Sequence, residues 1–421
     1  MDKRSFIKRL GWLGLSPVIG FPPSQPIENT PLPPLPQQEE ALWKLVRSQY
    51  ELHPDFINLE SGYYNIIPKP TMEKHLSHLK RVNLEGSYYM RKHRFNDKAI
   101  VTEKLGAFFG CDATNLIITR NTTESLDLII SGFPWKAGDH AIHAIQDYGA
   151  MQDMFAQIAE RHAVEVTKVS VPNHPKDDAE IVSLYESKIT PKTKLIMVCH
   201  MINITGQLLP IKKICDMAHR YGVEVLVDGA HCIGHFDFKI EELNCDYYGS
   251  SLHKWLATPL GAGLLYVKND HIPKIWPLLA DHEKDPNNIK RLSHTGTHPV
   301  ATDLAILDAI EYLNWMGLQR KEKRMRFLRS YWQEALKGVP NVVINTPFDD
   351  QRSCGIGNVG LTTMAPAELA DRLYKEYKIF TVAIDYANVK GCRITPNVFT
   401  SLDELDVFIN AIKQLSKVKS V

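Results

Sequence analysis

The chain has 421 residues, of which 44% are hydrophobic and 23% charged, and its 49 basic and 48 acidic side chains leave a formal net charge of +1. These values are typical of a soluble enzyme with enough chain for two domains. They do not indicate a nucleic-acid-binding protein, which needs a concentrated basic face. The seven cysteines show no Cys-x-x-Cys spacing, which argues against a disulfide framework and a zinc site, so we predict no metal.

The first 26 residues have the pattern of an export signal. Four basic residues between positions 3 and 9 precede an apolar stretch at 10–21, which has the length of a signal-peptide core and is too short to span a bilayer. Residues 3–8 resemble the twin-arginine signal, with lysine in place of the first arginine. We predict a signal peptide over residues 1–26 and export to the periplasm. The alternative is a cytoplasmic protein with an amphipathic extension.

Residues 27–55 are predicted to form a linker and an N-terminal helix. Seven prolines at positions 22–36 disfavour a helix and indicate an extended segment. A helix is predicted at 41–50, and a loop rich in glycine and tyrosine at 58–68.

From about residue 99 the chain alternates helical and strand-like segments. The predicted strands are 116–119, 141–145, 164–171, 195–199, 223–227 and 264–267. Strand, helix and strand at this spacing indicate an α/β fold with a mostly parallel sheet that is covered by helices on both faces. We assign this large domain to residues 56–295. Two long helices, at 301–316 and 320–336, then lead into mixed segments that predict a smaller α+β domain over 296–421.

Lys254 is the residue with the strongest chemical signal. It follows the small-residue run Gly249-Ser250-Ser251, for which we predict a turn, and Asp228 ends a predicted strand 26 residues earlier. A lone lysine is more often a solvated surface residue. An acid at the end of a buried strand and an apolar Gly-rich stretch after the lysine instead suit an aldehyde cofactor. We therefore predict pyridoxal 5′-phosphate (PLP), with Lys254 forming an imine and Asp228 keeping the ring nitrogen protonated, so that the ring withdraws electrons from a substrate Cα carbanion.

The sequence around this lysine resembles that of the class V aminotransferases, the group that includes cysteine desulfurases and isopenicillin N epimerases. The resemblance rests on Asp228-Gly229-Ala230-His231 and on Ser251-Leu252-His253-Lys254-Trp255, and further motifs follow in order over most of residues 56–410. It implies PLP fold type I, like aspartate aminotransferase, with a mostly parallel seven-stranded sheet and a smaller α+β C-terminal domain.

A phosphate site is predicted at residues 119–125, directly after a strand and at the start of a helix. Backbone N–H groups at a helix N-terminus, together with hydroxyls, bind phosphate. The same residues also fit an ordinary capping box. The resemblance implies that Thr122 and Thr123 bind the phosphate, that Ser251 and His253 are further ligands, and that a second subunit contributes Thr297. The last contact implies a homodimer with shared sites.

The ring contacts are also implied by the resemblance. Tyr148 would stack on one face of the ring and Ala230 on the other, whereas Asn203 and His231 would lie near the ring hydroxyl. His231 is in addition a candidate general acid or base.

Arg393 is the candidate for binding the substrate carboxylate. Gly391-Cys392-Arg393-Ile394-Thr395 resembles the family's closing arginine-serine segment, with Thr395 in place of the serine. A guanidinium binds a carboxylate with two hydrogen bonds and thereby fixes its orientation. The alternative is a surface ion pair. Tyr63 and Arg91 belong to a tyrosine- and arginine-rich set at 63–94 that would line the substrate entrance or form a dimer interface.

The reaction type stays open among epimerisation, amino transfer and elimination. A cysteine desulfurase needs a loop cysteine shortly before the substrate arginine, and none lies between residues 377 and 391. Cys392 is too constrained, and Cys354 would serve only if its loop folded inward. We predict an epimerase-like enzyme that acts on an amino acid or a derivative. The alternatives are a cysteine desulfurase or selenocysteine lyase and a non-catalytic PLP-binding protein. A dehydrogenase is excluded because no Gly-x-Gly-x-x-Gly follows an early strand.

Overall fold

The computed structural model describes residues 32–418. The predicted signal peptide and residues 27–31 of the predicted linker lie outside this range, so export stays a prediction. Across the described range, no helix has both the length and the hydropathy needed to cross a membrane.

The α-helices of the described range begin with four that precede the large sheet. In chain order the helices are α1 (Glu39–Ser48), α2 (Lys69–Glu85), α3 (Ser87–Lys92), α4 (Arg94–Phe109), α5 (Thr122–Gly132), α6 (Gly149–His162), α7 (Asp178–Glu186), α8 (Ile211–Arg220), α9 (Val300–Met316), α10 (Leu318–Leu336), α11 (Pro366–Tyr377) and α12 (Leu402–Leu415).

The strands fall into three sheets. They are β1 (Ile57–Asn58), β2 (Leu116–Thr119), β3 (His140–Ala144), β4 (Glu165–Val169), β5 (Thr193–Cys199), β6 (Glu224–Asp228), β7 (Tyr247–Ser251), β8 (Gly263–Val267), β9 (Val342–Ile344), β10 (Gly357–Leu361), β11 (Ile379–Phe380), β12 (Val382–Tyr386) and β13 (Val389–Ile394).

The largest sheet has seven strands in the order β2-β8-β7-β6-β5-β3-β4. Strand β8 runs antiparallel to both its neighbours, and the other pairs are parallel. The predicted mostly parallel seven-stranded sheet is therefore confirmed. All strands except β8 end at the same edge of the sheet, and this edge is where α/β proteins bind their ligands.

Both faces of the large sheet are covered. On β6, Val225 and Val227 pack into one hydrophobic cluster and Leu226 packs into another. Successive side chains of a strand point to opposite faces, so the two clusters lie on opposite sides of the sheet. This burial on both faces explains why β5 and β6 are continuous apolar runs rather than alternating ones.

The predicted turn at Gly249–Ser251 is wrong, because these residues form the end of β7. All three are buried, and α5 packs directly against the strand. A Cβ on Gly249 would lie 2.9 Å from the Cβ of Ser125 and 2.8 Å from Leu126. Small residues therefore allow the helix to approach the sheet here. They do not mark a turn, which instead follows at residues 253–256.

A second, antiparallel sheet follows in the C-terminal part, with the order β12-β13-β10-β9, and α11 packs against β12 and β13. This agrees with the predicted smaller α+β part. The predicted boundary between residues 295 and 296 stays a prediction. Helix α9, which follows that boundary, packs mainly against α2 and α4.

A short parallel pairing of strands brings an early segment of the described chain next to a late one. Strand β1 pairs in parallel with β11, and Glu60 forms a parallel bridge with Thr395. This pairing brings the segment after β1 next to the end of β13, where Arg393 lies.

Candidate active site

A cavity of about 370 Å³ opens at the carboxyl edge of the large sheet. Twelve of the predicted site residues line it, namely Tyr63, Thr122, Thr123, Tyr148, Asn203, Asp228, Ala230, His231, Ser251, His253, Lys254 and Arg393. Two predicted residues do not line it within this chain. Arg91 is exposed on α3, and Thr297 is exposed shortly before α9.

Lys254 lies beside His231, with Nζ 3.2 Å from Nε2 of the imidazole. Burial lowers the pKa of Lys254 to about 8, although the charge of Asp228 acts in the opposite direction. A lowered pKa increases the fraction of neutral amine, which is the nucleophilic form. The lysine therefore has an environment suited to attack on a carbonyl carbon.

Asp228 is buried at the carboxyl end of β6 and faces the cavity. Its Oδ1 accepts a hydrogen bond from the backbone N–H of Ala230 at 2.9 Å. Burial raises the pKa of Asp228, and the Ala230 hydrogen bond and the charge of Lys254 oppose that rise. The thiol of Cys199, at the end of β5, lies 3.9 Å from Oδ2. Nothing in the sequence singled out this cysteine as a neighbour of the acid.

The N-terminus of α5 faces the same cavity. Asn121 is its N-cap, and Oδ1 accepts from the N–H of Glu124 at 2.9 Å. The Glu124 carboxylate accepts from the N–H of Arg120 at 2.6 Å and not from that of Asn121, so the reciprocal half of the predicted capping box is absent. The hydroxyl of Ser251 lies 2.9 Å from the N–H of Thr122, from which it accepts.

The residues at this end of the cavity fit a phosphate-bearing cofactor. Hydroxyls from α5 and β7 meet at a helix N-terminus, where the partial positive charge favours anions. Burial lowers the pKa of His253 to about 4, so its imidazole is neutral at pH 7. Two buried atoms, Nδ1 of His253 and Oδ1 of Asn203, have no hydrogen-bond partner among the described residues, and both residues line the cavity. Unpaired buried polar atoms beside a cavity indicate a bound polar group.

Arg393 forms a buried ion pair with Glu60. Nη2 donates to Oε1 at 2.6 Å and Nε donates to Oε2 at 3.1 Å, and both residues are only 7% exposed. The Nη1 group lies 3.3 Å from the backbone oxygen of Asn203. A surface ion pair was the alternative role predicted for Arg393 from the sequence. The ion pair with Glu60 is buried. Sequence reasoning missed Glu60, because no local pattern connects it to a residue 333 positions away.

Glu60 is itself held in place. Its Oε1 accepts from the N–H of Tyr63 at 2.9 Å, and Thr395 Oγ1 lies 3.5 Å from Oε2. A Cβ on Gly62 would lie 3.0 Å from both Cζ and Nη2 of Arg393. Glycine at position 62 therefore leaves room for the guanidinium, whose Nε–Nη2 edge is occupied by Glu60.

Two tyrosines lie at the entrance of the cavity. Tyr148 precedes α6 and is 47% exposed, and Tyr63 is 75% exposed. Both side chains border the cavity, so a ring or a substrate side chain that enters would contact aromatic surface.

The cysteines considered for sulfur chemistry lie elsewhere. Cys354 and Cys392 are fully buried, burial raises the pKa of each thiol to about 12, and neither lines the cavity. Cys354 is therefore not on a loop that folds into the site. Among the described lining residues, the one thiol belongs to Cys199, beside Asp228.

Comparison with known proteins agrees with this site. The sequence profile of the family "Aminotransferase class-V" matches residues 67–383. The chain is 24% identical over 393 residues to an isopenicillin N epimerase from Streptomyces clavuligerus, which covers 89% of this chain and 99% of that protein. It is 26% identical over 281 residues to a probable cysteine desulfurase from Halalkalibacterium halodurans, covering 64% and 68%.

A solved structure shares the fold. A mutant of C-DES with glycine covalently linked to its PLP cofactor superposes with a TM-score of 0.79 at 21% identity, covering 87% of this chain and 98% of that one. Because the family profile matches well over half of the sequence, the chain belongs to the aminotransferase class-V family.

Proposed function

We propose that the protein is a PLP-dependent enzyme that removes the Cα proton of an amino acid or an amino-acid derivative, with epimerisation as the outcome. One observation carries the proposal: a single cavity contains Lys254, Asp228, Arg393 and the N-terminus of α5. Support for the cofactor also comes from C-DES, which is described with PLP. Support for epimerisation comes from the epimerase relative, which matches this chain over nearly its whole length.

Different residues of the cavity would bind different parts of the cofactor. When bound, PLP supplies an electron-withdrawing ring. Lys254 provides the amine that binds the aldehyde, and Asp228 holds a proton at the ring nitrogen. Phosphate binding falls to the α5 N-terminus with its neighbouring hydroxyls and the imidazole of His253. Tyr148 and Ala230 also line the cavity and would contact the ring of the cofactor.

Arg393 orients the substrate. Its Nε–Nη2 edge is occupied by Glu60, so a substrate carboxylate would bind the remaining donors, on the Nη1 side. A charge-assisted pair in a buried site fixes both the position and the direction of the substrate. With the carboxylate held there, the Cα–H is directed towards Lys254, whose neutral amine takes up the proton.

Cysteine desulfuration is the second candidate, because a relative carries the name of a probable cysteine desulfurase. That chemistry needs a thiol near the substrate side chain. The thiol at the cavity, Cys199, lies beside Asp228, and Cys354 and Cys392 do not reach the cavity. A non-catalytic PLP-binding protein is a weaker candidate, because it would not need an arginine at the cavity.

A homodimer is part of the same proposal. Large apolar side chains are exposed near the N-terminal helices and after β8, among them Leu84, Tyr88, Phe95 and Trp276. An interface with a second copy of the chain would cover such exposed side chains. Thr297 is exposed outside the cavity of its own chain, so it is free to contact the phosphate of a neighbouring subunit.

The test begins with the absorbance spectrum of the purified protein. We expect a visible-violet band that borohydride removes, with the reduced cofactor mapped to Lys254. Lys254→Ala should lose the adduct and turnover, whereas Lys194→Ala, a change at an exposed position, should keep both. Amino acids are then screened in D₂O for deuterium at Cα by mass spectrometry and for inversion by chiral chromatography.

Retained turnover in Lys254→Ala would refute the assignment of the lysine. Rapid sulfide release from cysteine, without deuterium exchange on any other amino acid, would replace epimerisation with desulfuration.

A further inference from the structure

Trp255, directly after Lys254, is completely buried and directs its indole N–H at His231. Nε1 of the indole lies 3.2 Å from Nδ1 of the imidazole, and Nε2 of the same imidazole lies 3.2 Å from Nζ of Lys254. An indole N–H can only donate. Nδ1 of His231 must therefore accept and carries no proton, so the proton of the neutral ring lies on Nε2.

The charge states of the neighbours agree with this direction. Burial, together with the charge of Lys254, holds the pKa of His231 well below its usual range, so the ring is neutral. The pKa of Lys254 is about 8, so above pH 8 its neutral amine has a lone pair that can accept from Nε2–H, whereas the ammonium group present below pH 8 has none. In this neutral form of Lys254 the three groups form one directed series of hydrogen bonds, from Trp255 to His231 to Lys254.

Trp255 is held from two further sides. Its ring stacks on His235, with centroids 3.8 Å apart and planes at 18°, and its backbone oxygen accepts from Nζ of the buried Lys321 at 2.5 Å. His235 Nε2 accepts from the N–H of Gly355 at 2.9 Å, which leaves its proton on Nδ1, 2.8 Å from the backbone oxygen of His231. The two histidines are therefore held in opposite tautomers.

We propose that Trp255 is a positioning residue that holds His231 as the Nε2–H tautomer and so directs a hydrogen-bond donor at Lys254 and the cavity. The tautomer follows from the protein alone. The use of the donor rests on the proposed function, in which it would hold an electron-rich atom of the cofactor beside Lys254. In this state Nε2 of His231 donates a hydrogen bond but has no lone pair to accept a proton, and a neutral imidazole is too weak an acid to release one. The geometry therefore excludes the predicted role of base at Nε2 and leaves His231 as a hydrogen-bond donor.

The test reads the tautomers of the cofactor-free protein by ¹⁵N NMR after labelling with ¹⁵N-histidine, with signals assigned from His231→Gln and His235→Gln. We expect a protonated Nε2 in His231 and a protonated Nδ1 in His235. Trp255→Phe keeps an aromatic ring for the stack but removes the donor. It should shift the His231 tautomer ratio about tenfold towards Nδ1–H, as expected for the loss of one buried hydrogen bond. Trp276→Phe, at a 70% exposed position, is the matched control and should leave both histidines unchanged.

A protonated Nδ1 in wild-type His231, or an unchanged ratio in folded Trp255→Phe, would overturn the inference. If Trp255→Phe does not fold, the His231→Leu variant provides the test. Removing the imidazole should shift the indole N–H signal of Trp255 in the NMR spectrum and leave the signal of Trp276 unchanged. An unmoved Trp255 signal would also overturn it. Failure of the proposed function gives a different result, namely no visible cofactor band together with the tautomers described above.

Discussion

The cavity has two chemically different sides. The lysine side, which consists of Asp228, His231 and Lys254, comes from 27 consecutive residues at the carboxyl edge of the large sheet. The arginine side, which consists of Glu60, Arg393 and Thr395, joins residues from opposite ends of the described chain. On the lysine side, burial lowers the pKa of the cation to about 8. A guanidinium cannot release its proton, so on the arginine side a paired carboxylate neutralises the cation. The comparison shows two solutions to one problem, the cost of burying a positive charge.

The largest effect is expected from Asp228→Asn, which changes the lysine side alone. An amide cannot hold a proton on the ring nitrogen, so we expect Cα–H exchange to slow by about a hundredfold to a thousandfold. This corresponds to roughly 3–4 kcal/mol, on the scale of breaking a buried charge pair. Cofactor absorbance should persist. Asp153→Asn, at an exposed position on α6, should exchange at the wild-type rate. An undiminished rate in Asp228→Asn would leave the acid with a structural role only.

The arginine side is tested by a double-mutant cycle. Arg393→Ala should raise KM about a hundredfold, as expected from about 2–3 kcal/mol for a charge-assisted buried pair, and Arg393→Lys should recover little. It should also lower the free energy of unfolding, because Glu60 is left buried and unpaired. Adding Glu60→Ala should restore much of that stability but not KM. Restoration of both would make the ion pair purely structural.

The single variant Glu60→Gln distinguishes whether Glu60 positions Arg393 for the substrate carboxylate or competes with that carboxylate. If Glu60 holds the guanidinium in position, the loss of its charge should raise KM about tenfold while kcat changes little, on the scale of one charge-assisted hydrogen bond. A fall in KM would show instead that Glu60 competes with the substrate carboxylate for Arg393. Either result is obtained from the same substrate titration.

A smaller effect distinguishes the two cations by pH. The pKa of Lys254 is about 8 in the folded protein and about 10.5 when unfolded. Between these values the unfolded chain binds more protons, so the free energy of unfolding should rise with pH by at most about 1.4 kcal/mol per unit. Below pH 8 this contribution is constant and unfavourable. Urea unfolding of the cofactor-free protein, relative to Lys254→Met, measures the slope. The same comparison with the Arg393→Ala/Glu60→Ala protein should show none, and a flat difference for Lys254 would contradict the lowered pKa.

The lysine side was predictable from the sequence because its signals are local. Asp228 ends an apolar strand, Lys254 follows a short run of small residues, and the α5 N-terminus follows another strand. Parallel strands then bring these three points to one edge of the sheet. The predicted turn at Gly249–Ser251 is wrong because small residues are typical of turns and also of strands on which a helix packs closely, and here the helix α5 packs on β7.

The arginine side was only half predictable. Arg393 was found by its resemblance to a family segment, but Glu60 lies in a tyrosine-rich loop whose pairing depends on β1 meeting β11. Cys199 and Trp255 were missed for a related reason. A sequence pattern counts both residues as apolar. Their hydrogen bonds with Asp228 and His231 are visible only in the folded structure.

The pairing of Glu60 with Arg393 has a consequence for incomplete chains. Residues up to 267 contain the whole lysine side and every strand of its sheet, whereas the guanidinium is added only near the end of synthesis. A product that stops before residue 393, through proteolysis or premature termination, would keep the reactive amine and leave the carboxylate of Glu60 without its partner. Such a fragment would have no guanidinium at the cavity, so it could not select substrates by their carboxylate.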